Sequence, residues 1–264
     1  MQQEQMDTLK DEGKGKAAEI GNYLAIMSGK GGVGKSAVTS LLAAGMNRSG
    51  LEVGILDADI TGPSIPRMMG VHGRVRMEDE LMVPPCSAGG IKVMSANLVL
   101  EKEDDALIWR GPMVSNALRQ FYEESKWGKL DYLLIDLPPG TSDAPLTMMQ
   151  MLPSTDVLIV TSPQVLASMI VRKAINMARK VGSRVIGMVE NMGSARCPNC
   201  GETFELFRGG GSEKIVEDMK VPLLGKLAYD PRISELCDLG KIEDYRSEEV
   251  DAVVAAVLEL TRDA

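Results

Sequence analysis

Two short stretches of this chain hold residues whose types and spacing could do chemistry. The first, Gly29-Lys30-Gly31-Gly32-Val33-Gly34-Lys35-Ser36, fits G-x-x-x-x-G-K-[ST], the phosphate-binding loop. Glycines let consecutive backbone N–H groups curl around phosphate oxygens, and the N-terminus of a following helix adds the positive end of its dipole. Lys35 would reach the β- and γ-phosphates, and the Ser36 hydroxyl would ligate Mg2+. The second stretch is Cys197-Pro198-Asn199-Cys200. C-x-x-C spacing lets two thiolates bind one metal or cluster, but tetrahedral closure needs four ligands.

The elements that must position the first stretch are legible around it. The apolar run Tyr23 to Met27 predicts a buried strand entering the loop, and Val38, Leu41, Leu42 and Gly45 recur at helical spacing behind it. A nucleoside triphosphate is therefore the expected ligand. Two further apolar runs close on acids. Val53 to Leu56 ends at Asp57, followed by Asp59, and either carboxylate could hold a cation-bound water or orient the attacking one; a loop-capping Asp pair is the alternative. Leu133-Leu134-Ile135-Asp136 is the Walker B pattern that would hold the Mg2+ shell. Asn191 follows a third strand; its amide could meet a purine edge or simply cap the strand end. No guanine-reading N-K-x-D sequence occurs, which favours ATP.

Farther along, strands are expected at 91–95, 132–135, 157–160, 185–189 and 222–227, with a hairpin around 75–83 and helices at 113–122, 166–179 and 247–261. Strands alternating with helices imply parallel βαβ units: an α/β, doubly wound, mostly parallel sheet with helices on both faces. Ligands of such folds sit at the carboxyl ends of the strands, where Ser28, Asp57, Asp136, Thr161 and Asn191 all fall. Residues 1–20 read as a polar tail. Residues 21–264 read as one domain carrying a C-x-x-C insertion around 193–211.

Composition excludes several classes. Hydrophobic residues at 44% suffice for a core, and 18 Met against 4% aromatics make that core aliphatic. A net charge of −8 argues against binding nucleic acid through its phosphates. No stretch is long enough to span a membrane, and the polar N-terminus is unlike a signal peptide. Val250, Val253, Val254 and Val257 form a stripe among acids, which reads as core packing rather than a membrane helix. Four Cys in 264 residues point to a reducing, cytoplasmic setting. Cys86 and Cys237 read as ordinary apolar fillers.

For the C-x-x-C three readings stand: a redox pair, a zinc knuckle, and a site shared across a two-fold axis. The redox pair would need a thioredoxin-like fold. The knuckle would need two more ligands nearby, and the only His, His72, is distant in sequence. The shared site would draw two Cys from each chain.

The loop K-G-G-V-G-K-S, with Lys30 as its extra lysine, resembles the deviant P-loop of MinD/ParA-like ATPases. That resemblance implies a dimer in which Lys30 reaches the partner's nucleotide, Asp59 positions water and Asp57 lies near Mg2+ through water. It places the nucleotide on Gly29, Lys30, Gly31, Gly32, Val33, Gly34, Lys35, Ser36 and Ala37, with Asp57, Asp136 and the adenine-reading Asn191. Four further runs bring the resemblance to the Mrp/ApbC family of iron–sulfur carrier ATPases, from about Gly21 onward. They are Asp57-Ala58-Asp59-Ile60-Thr61-Gly62-Pro63-Ser64-Ile65-Pro66, Trp109-Arg110-Gly111-Pro112, the switch Leu137-Pro138-Pro139-Gly140-Thr141-Ser142-Asp143, and C-x-x-C after Glu190-Asn191-Met192. Ala37 and Ser142 stand where threonine and glycine are usual, and no Cys precedes Cys86, as in a short, archaeal-type form. The resemblance implies a homodimer, a 4Fe–4S cluster bridged by Cys197 and Cys200 of both chains, and ATP-driven transfer to apo-proteins. Four thiolates would also take Zn2+. A MinD/ParA-like dimer switch with a structural zinc is the other function considered.

Overall fold

The computed structural model describes residues 18–99, 111–141, 143–152, 154–197, 199–207 and 211–262. Trp109, Arg110, Ser142, Pro198 and most of the N-terminal tail lie outside them. The chain runs β1 (Glu19–Ser28), α1 (Lys35–Arg48), β2 (Val53–Asp57), a single turn α2 (Ile65–Met68), β3 (Arg76–Glu78), β4 (Leu81–Val83) and β5 (Lys92–Ser95). It continues through α3 (Gly111–Glu123), β6 (Lys129–Asp136), α4 (Asp143–Met151), β7 (Asp156–Thr161), α5 (Val165–Lys180) and β8 (Arg184–Arg196). It ends with β9 (Thr203–Glu205), α6 (Gly211–Met219), β10 (Leu223–Tyr229), α7 (Pro231–Asp238) and α8 (Glu248–Arg262).

The sheet order is β10-β8-β7-β1-β6-β2-β5. Every neighbouring pair along that path is parallel. Among the described strands, β9 on the end of β8 and the separate β3–β4 hairpin pair antiparallel. The central strands are apolar on both sides because helices cover both faces. Alternate residues of β1 make the division plain. Leu24 and Ile26 join the core under α1 and α8; Ala25 and Met27 join the core under α3 to α6. The stripe Val250, Val253, Val254 and Val257 is 0–4% exposed and packs against the first core. No helix among the described residues is long and apolar enough to cross a membrane.

The element bounds and the helix content differ from the sequence reading at several places. β1 starts at Glu19, inside the stretch assigned to the tail, because Glu19 and Ile20 still pair with Lys129 and Leu130 of β6. β8 continues past Val189 to Arg196, where β9 supplies a new hydrogen-bonding partner. Helices α2, α4, α6 and α7 lie in segments for which no helix was expected.

Candidate functional site

β1 delivers Ser28 to the top of the sheet, and the chain turns through Gly29 to Gly34 before α1 opens at Lys35. Gly32 and Gly34 both adopt φ +78, a left-handed backbone that a side chain disfavours. Two glycines are also needed for close approach. A Cβ on Gly29 would lie 2.9 Å from Val171 N and 3.0 Å from Ile170 C, both in the backbone of α5. One on Gly34 would lie 2.3 Å from Asn191 Nδ2. The loop wraps a cavity of about 210 Å3 whose far wall is Asp59, Ser64, Met68 and Pro139. Gly34→Ala is expected to push Asn191 off the loop and weaken ADP binding, at a strain cost of about 1–2 kcal/mol. Calorimetric titration with ADP, alongside a melting curve, measures both.

Beneath the loop lies a buried charge pair. Asp136, at the end of β6, is fully buried, and Lys35 Nζ stands 2.8 Å from its Oδ1. Ser36 Oγ donates to Asp136 Oδ2 at 2.6 Å, and Thr39 Oγ1 lies 2.8 Å from Oδ1. Asp57 is the register neighbour of Asp136 on β2 and is equally buried. Its oxygens accept from Asp59 N, Ser64 N, Ile65 N and Ser95 Oγ at 3.1–3.2 Å. Asp57 is thus the capping aspartate of the loop into α2 and does not line the cavity.

Burial, and next the charge of Asp136, push the Asp57 carboxyl up to about 8. A raised carboxylate pKa means that the folded protein holds this proton more tightly than the unfolded chain does. The group's stabilising effect is complete below the unfolded value of 3.8 and is lost as pH rises towards about 8. The nucleotide-free protein is therefore expected to melt lower as pH rises through that window. Asp57→Asn should flatten the fall, as melting curves at fixed ionic strength would show.

Of the remaining predicted residues, Lys30 and Asp59 line the cavity, while Asn191 lies against the loop without lining it. The Lys30 ammonium donates to the side-chain carbonyl of Gln164, and Ser28 Oγ donates to Lys30 O at 3.1 Å. Asp59 faces the cavity and accepts from Thr61 Oγ1 at 3.0 Å. Gly140, at φ +88, donates its N–H to Ser28 O at 2.9 Å. Asn191 donates from Nδ2 to Val33 O at 2.9 Å, so its amide braces the loop. Thr39 and Gln164 escaped sequence reasoning. Thr39 carried a usable signal, one helical turn beyond Lys35 and on the same face. Gln164 carried none, being 134 residues from Lys30.

The cysteines occupy the turn between β8 and β9. Cys197 N donates to Glu202 O and Gly201 N to Cys197 O, each at 2.8 Å, while Arg196 Nε holds Gly201 O at 3.0 Å. The backbone N–H of Cys200, then that of Asn199, then the Cys200 thiol lower the pKa of Cys197 and favour its thiolate. Cys197 is half-buried and Cys200 exposed. Among the described residues no group of three or more His, Cys, Asp or Glu comes together, so one chain supplies two thiolates. Cys237 is half-buried against the core, as expected. Cys86 is not a filler: it is exposed, because its loop is tied down by Ser87 and Gly89 to Glu243 instead.

One strand joins the two centres. Asn191 pairs with Leu227 and Ala195 with Tyr229, so β8 takes four steps where β10 takes two. The extra length bulges at Met192, a non-glycine at φ +58, and re-aims the strand towards the cysteine turn. A cavity of about 790 Å3 opens beside that turn, with Arg196, Cys197 and Gly201 on one wall and Tyr229 to Ile233 on another.

Comparisons with known proteins place this geometry. A family model described as the NUBPL iron-transfer P-loop NTPase matches residues 19–261. The chain is 46% identical over 237 residues to the iron-sulfur cluster carrier protein of Clostridium perfringens, covering 87% of this chain and 83% of that one. It is 42% identical over 248 residues to the protein of the same name from Methanocaldococcus jannaschii, covering 92% and 86%. Among solved structures it is similar to a nucleotide-binding protein from Archaeoglobus fulgidus in complex with ADP, in which cobalt was found. That match has a TM-score of 0.77 at 44% identity, covering 87% of this chain and 90% of that one.

Proposed function

Since the chain belongs to the family of NUBPL-type iron-transfer P-loop NTPases, we propose that it is an ATP-hydrolysing carrier that holds a 4Fe–4S cluster between two copies of itself and passes it to apo iron–sulfur proteins. The observation that carries this reading is the cysteine turn. It offers two thiols, one with its pKa lowered by neighbouring backbone N–H groups, just beyond the strand that carries the asparagine bracing the phosphate loop. A cluster needs about four thiolates, and a second copy supplies the other two.

The cavity suits a nucleotide phosphate and its cation. It is lined by the loop from Lys30 to Ala37, and Ser36 Oγ, which lines it, donates to the buried Asp136 carboxylate behind it at 2.6 Å. In the proposed cycle Lys35 and the N–H groups of the loop bind the phosphates, and Ser36, backed by Asp136, holds Mg2+. Bound Mg2+ supplies charge neutralisation at the transferring phosphate. Asp59 orients the attacking water, Asn191 keeps an N–H for the purine, and Lys30 leaves Gln164 for the partner's nucleotide. Asp57 acts only indirectly, by holding the loop that carries Asp59.

Anaerobic reconstitution with iron and sulfide tests the proposal. About four irons per two chains, with a dimer in solution and transfer to an apo-enzyme, is the expected result. Tightly held zinc that iron cannot displace, alongside intact ATP hydrolysis, would make the protein a nucleotide-dependent switch with a structural metal.

A further inference from the structure

Asp136 poses a problem that its predicted partners do not solve. It is fully buried next to Asp57, a second fully buried carboxyl group, and it depends on donors to hold its rotamer. Two of the three side-chain donors, Lys35 and Ser36, line the cavity. Phosphate would draw the first, while a cation would take a lone pair of the second and leave its single proton as the remaining donor from the cavity side.

The third donor has no such competing role. Thr39 is fully buried, does not line the cavity, and sits on the rigid helix α1. Its Oγ1 lies 2.8 Å from Asp136 Oδ1 and 3.0 Å from Lys35 O. A hydroxyl has one proton, and a charged acceptor at the shorter distance takes it. The backbone of Asp136 is held separately, by Ala58 N donating to its carbonyl at 3.0 Å. That bond leaves the side-chain torsion free.

We propose that Thr39 is a positioning residue for the nucleotide-bound cation. It keeps the Asp136 carboxylate aimed at Ser36 once Lys35 has turned to phosphate. The inference rests on the nucleotide-and-cation reading above. Thr39→Val removes the hydroxyl and keeps the β-branched shape, while Thr39→Ser keeps the hydroxyl.

The test measures ADP affinity without divalent cation by calorimetry, and Mn2+ affinity of the ADP complex by electron paramagnetic resonance. Thr39→Val is expected to weaken Mn2+ binding about tenfold, the size of one charge-assisted hydrogen bond, with metal-free ADP affinity kept within about twofold. Thr39→Ser should restore the Mn2+ affinity. Equal losses with and without metal, or no loss of Mn2+ affinity, would overturn the proposal. If Thr39→Val does not fold, Thr39→Ala replaces it with the same two outcomes. A parent protein whose ADP affinity is indifferent to Mn2+ would instead defeat the cation reading itself.

Discussion

Lys35→Ala is expected to lower the stability of the nucleotide-free protein by about 3 kcal/mol, in addition to weakening nucleotide binding. The reason is the carboxylate left behind. Asp136 is fully buried, and Lys35 is the only cation paired with it among the described residues. Truncating Lys35 leaves a buried negative charge with two hydroxyl donors and a neighbouring buried Asp57. Removing one partner of a buried pair costs far more than removing both. The double variant Lys35→Ala/Asp136→Asn should therefore recover much of the loss, because no uncompensated charge remains. Urea unfolding of the parent, both singles and the double measures the coupling directly. A single Lys35→Ala within about 0.5 kcal/mol of the parent would overturn this account of the pair. ADP affinity of the same variant should fall by at least about a hundredfold, since a charge-assisted contact to phosphate is lost.

Cys197→Ser and Cys200→Ser should each reduce reconstituted iron and sulfide to near zero while leaving ADP affinity within about twofold of the parent. Serine is a poor ligand for a cluster that requires thiolates. The cysteine turn lies beyond the β8 bulge, on a hairpin held by its own hydrogen bonds, and its thiols do not line the phosphate cavity. Equal loss of iron and of nucleotide would show that the two centres are one folding unit and would remove the division of labour. The aligned N–H groups also set an order of reactivity. Cys197, whose thiolate is favoured, should alkylate faster than Cys200 at neutral pH, as peptide mass spectrometry of iodoacetamide-treated protein would show.

Much of the fold was legible because its signals are local. The strand, loop and helix around Lys35 are contiguous, and strands buried on both faces read as apolar runs. The pieces that were missed are short: β9 has 3 residues, α7 has 8, and α4 and α6 have 9 each. β9 is three exposed residues, held only by pairing with β8. α7 has no fully buried residue and forms where Asp230 caps its first turn through Arg232 N. The N-terminal reach of β1 was invisible because Glu19 is exposed; only its register with Lys129 makes it strand.

The sequence alone determined the phosphate loop, the acids at strand ends and the paired thiols, because each is specified by residues within one short stretch. Only the tertiary structure decided what those residues bind within the protein. Asp136 meets Ser36 across 100 residues, and Asn191 meets Val33 across 158. It also separated two aspartates that looked alike, turning Asp136 under the loop and Asp57 into the anchor of the loop that follows it. The physical reason is the strand order. With β1 between β6 and β7, and β2 beside β6, strand ends far apart in sequence share one edge. Which donor faces which oxygen there depends on register, and register is set by the packing of the whole sheet.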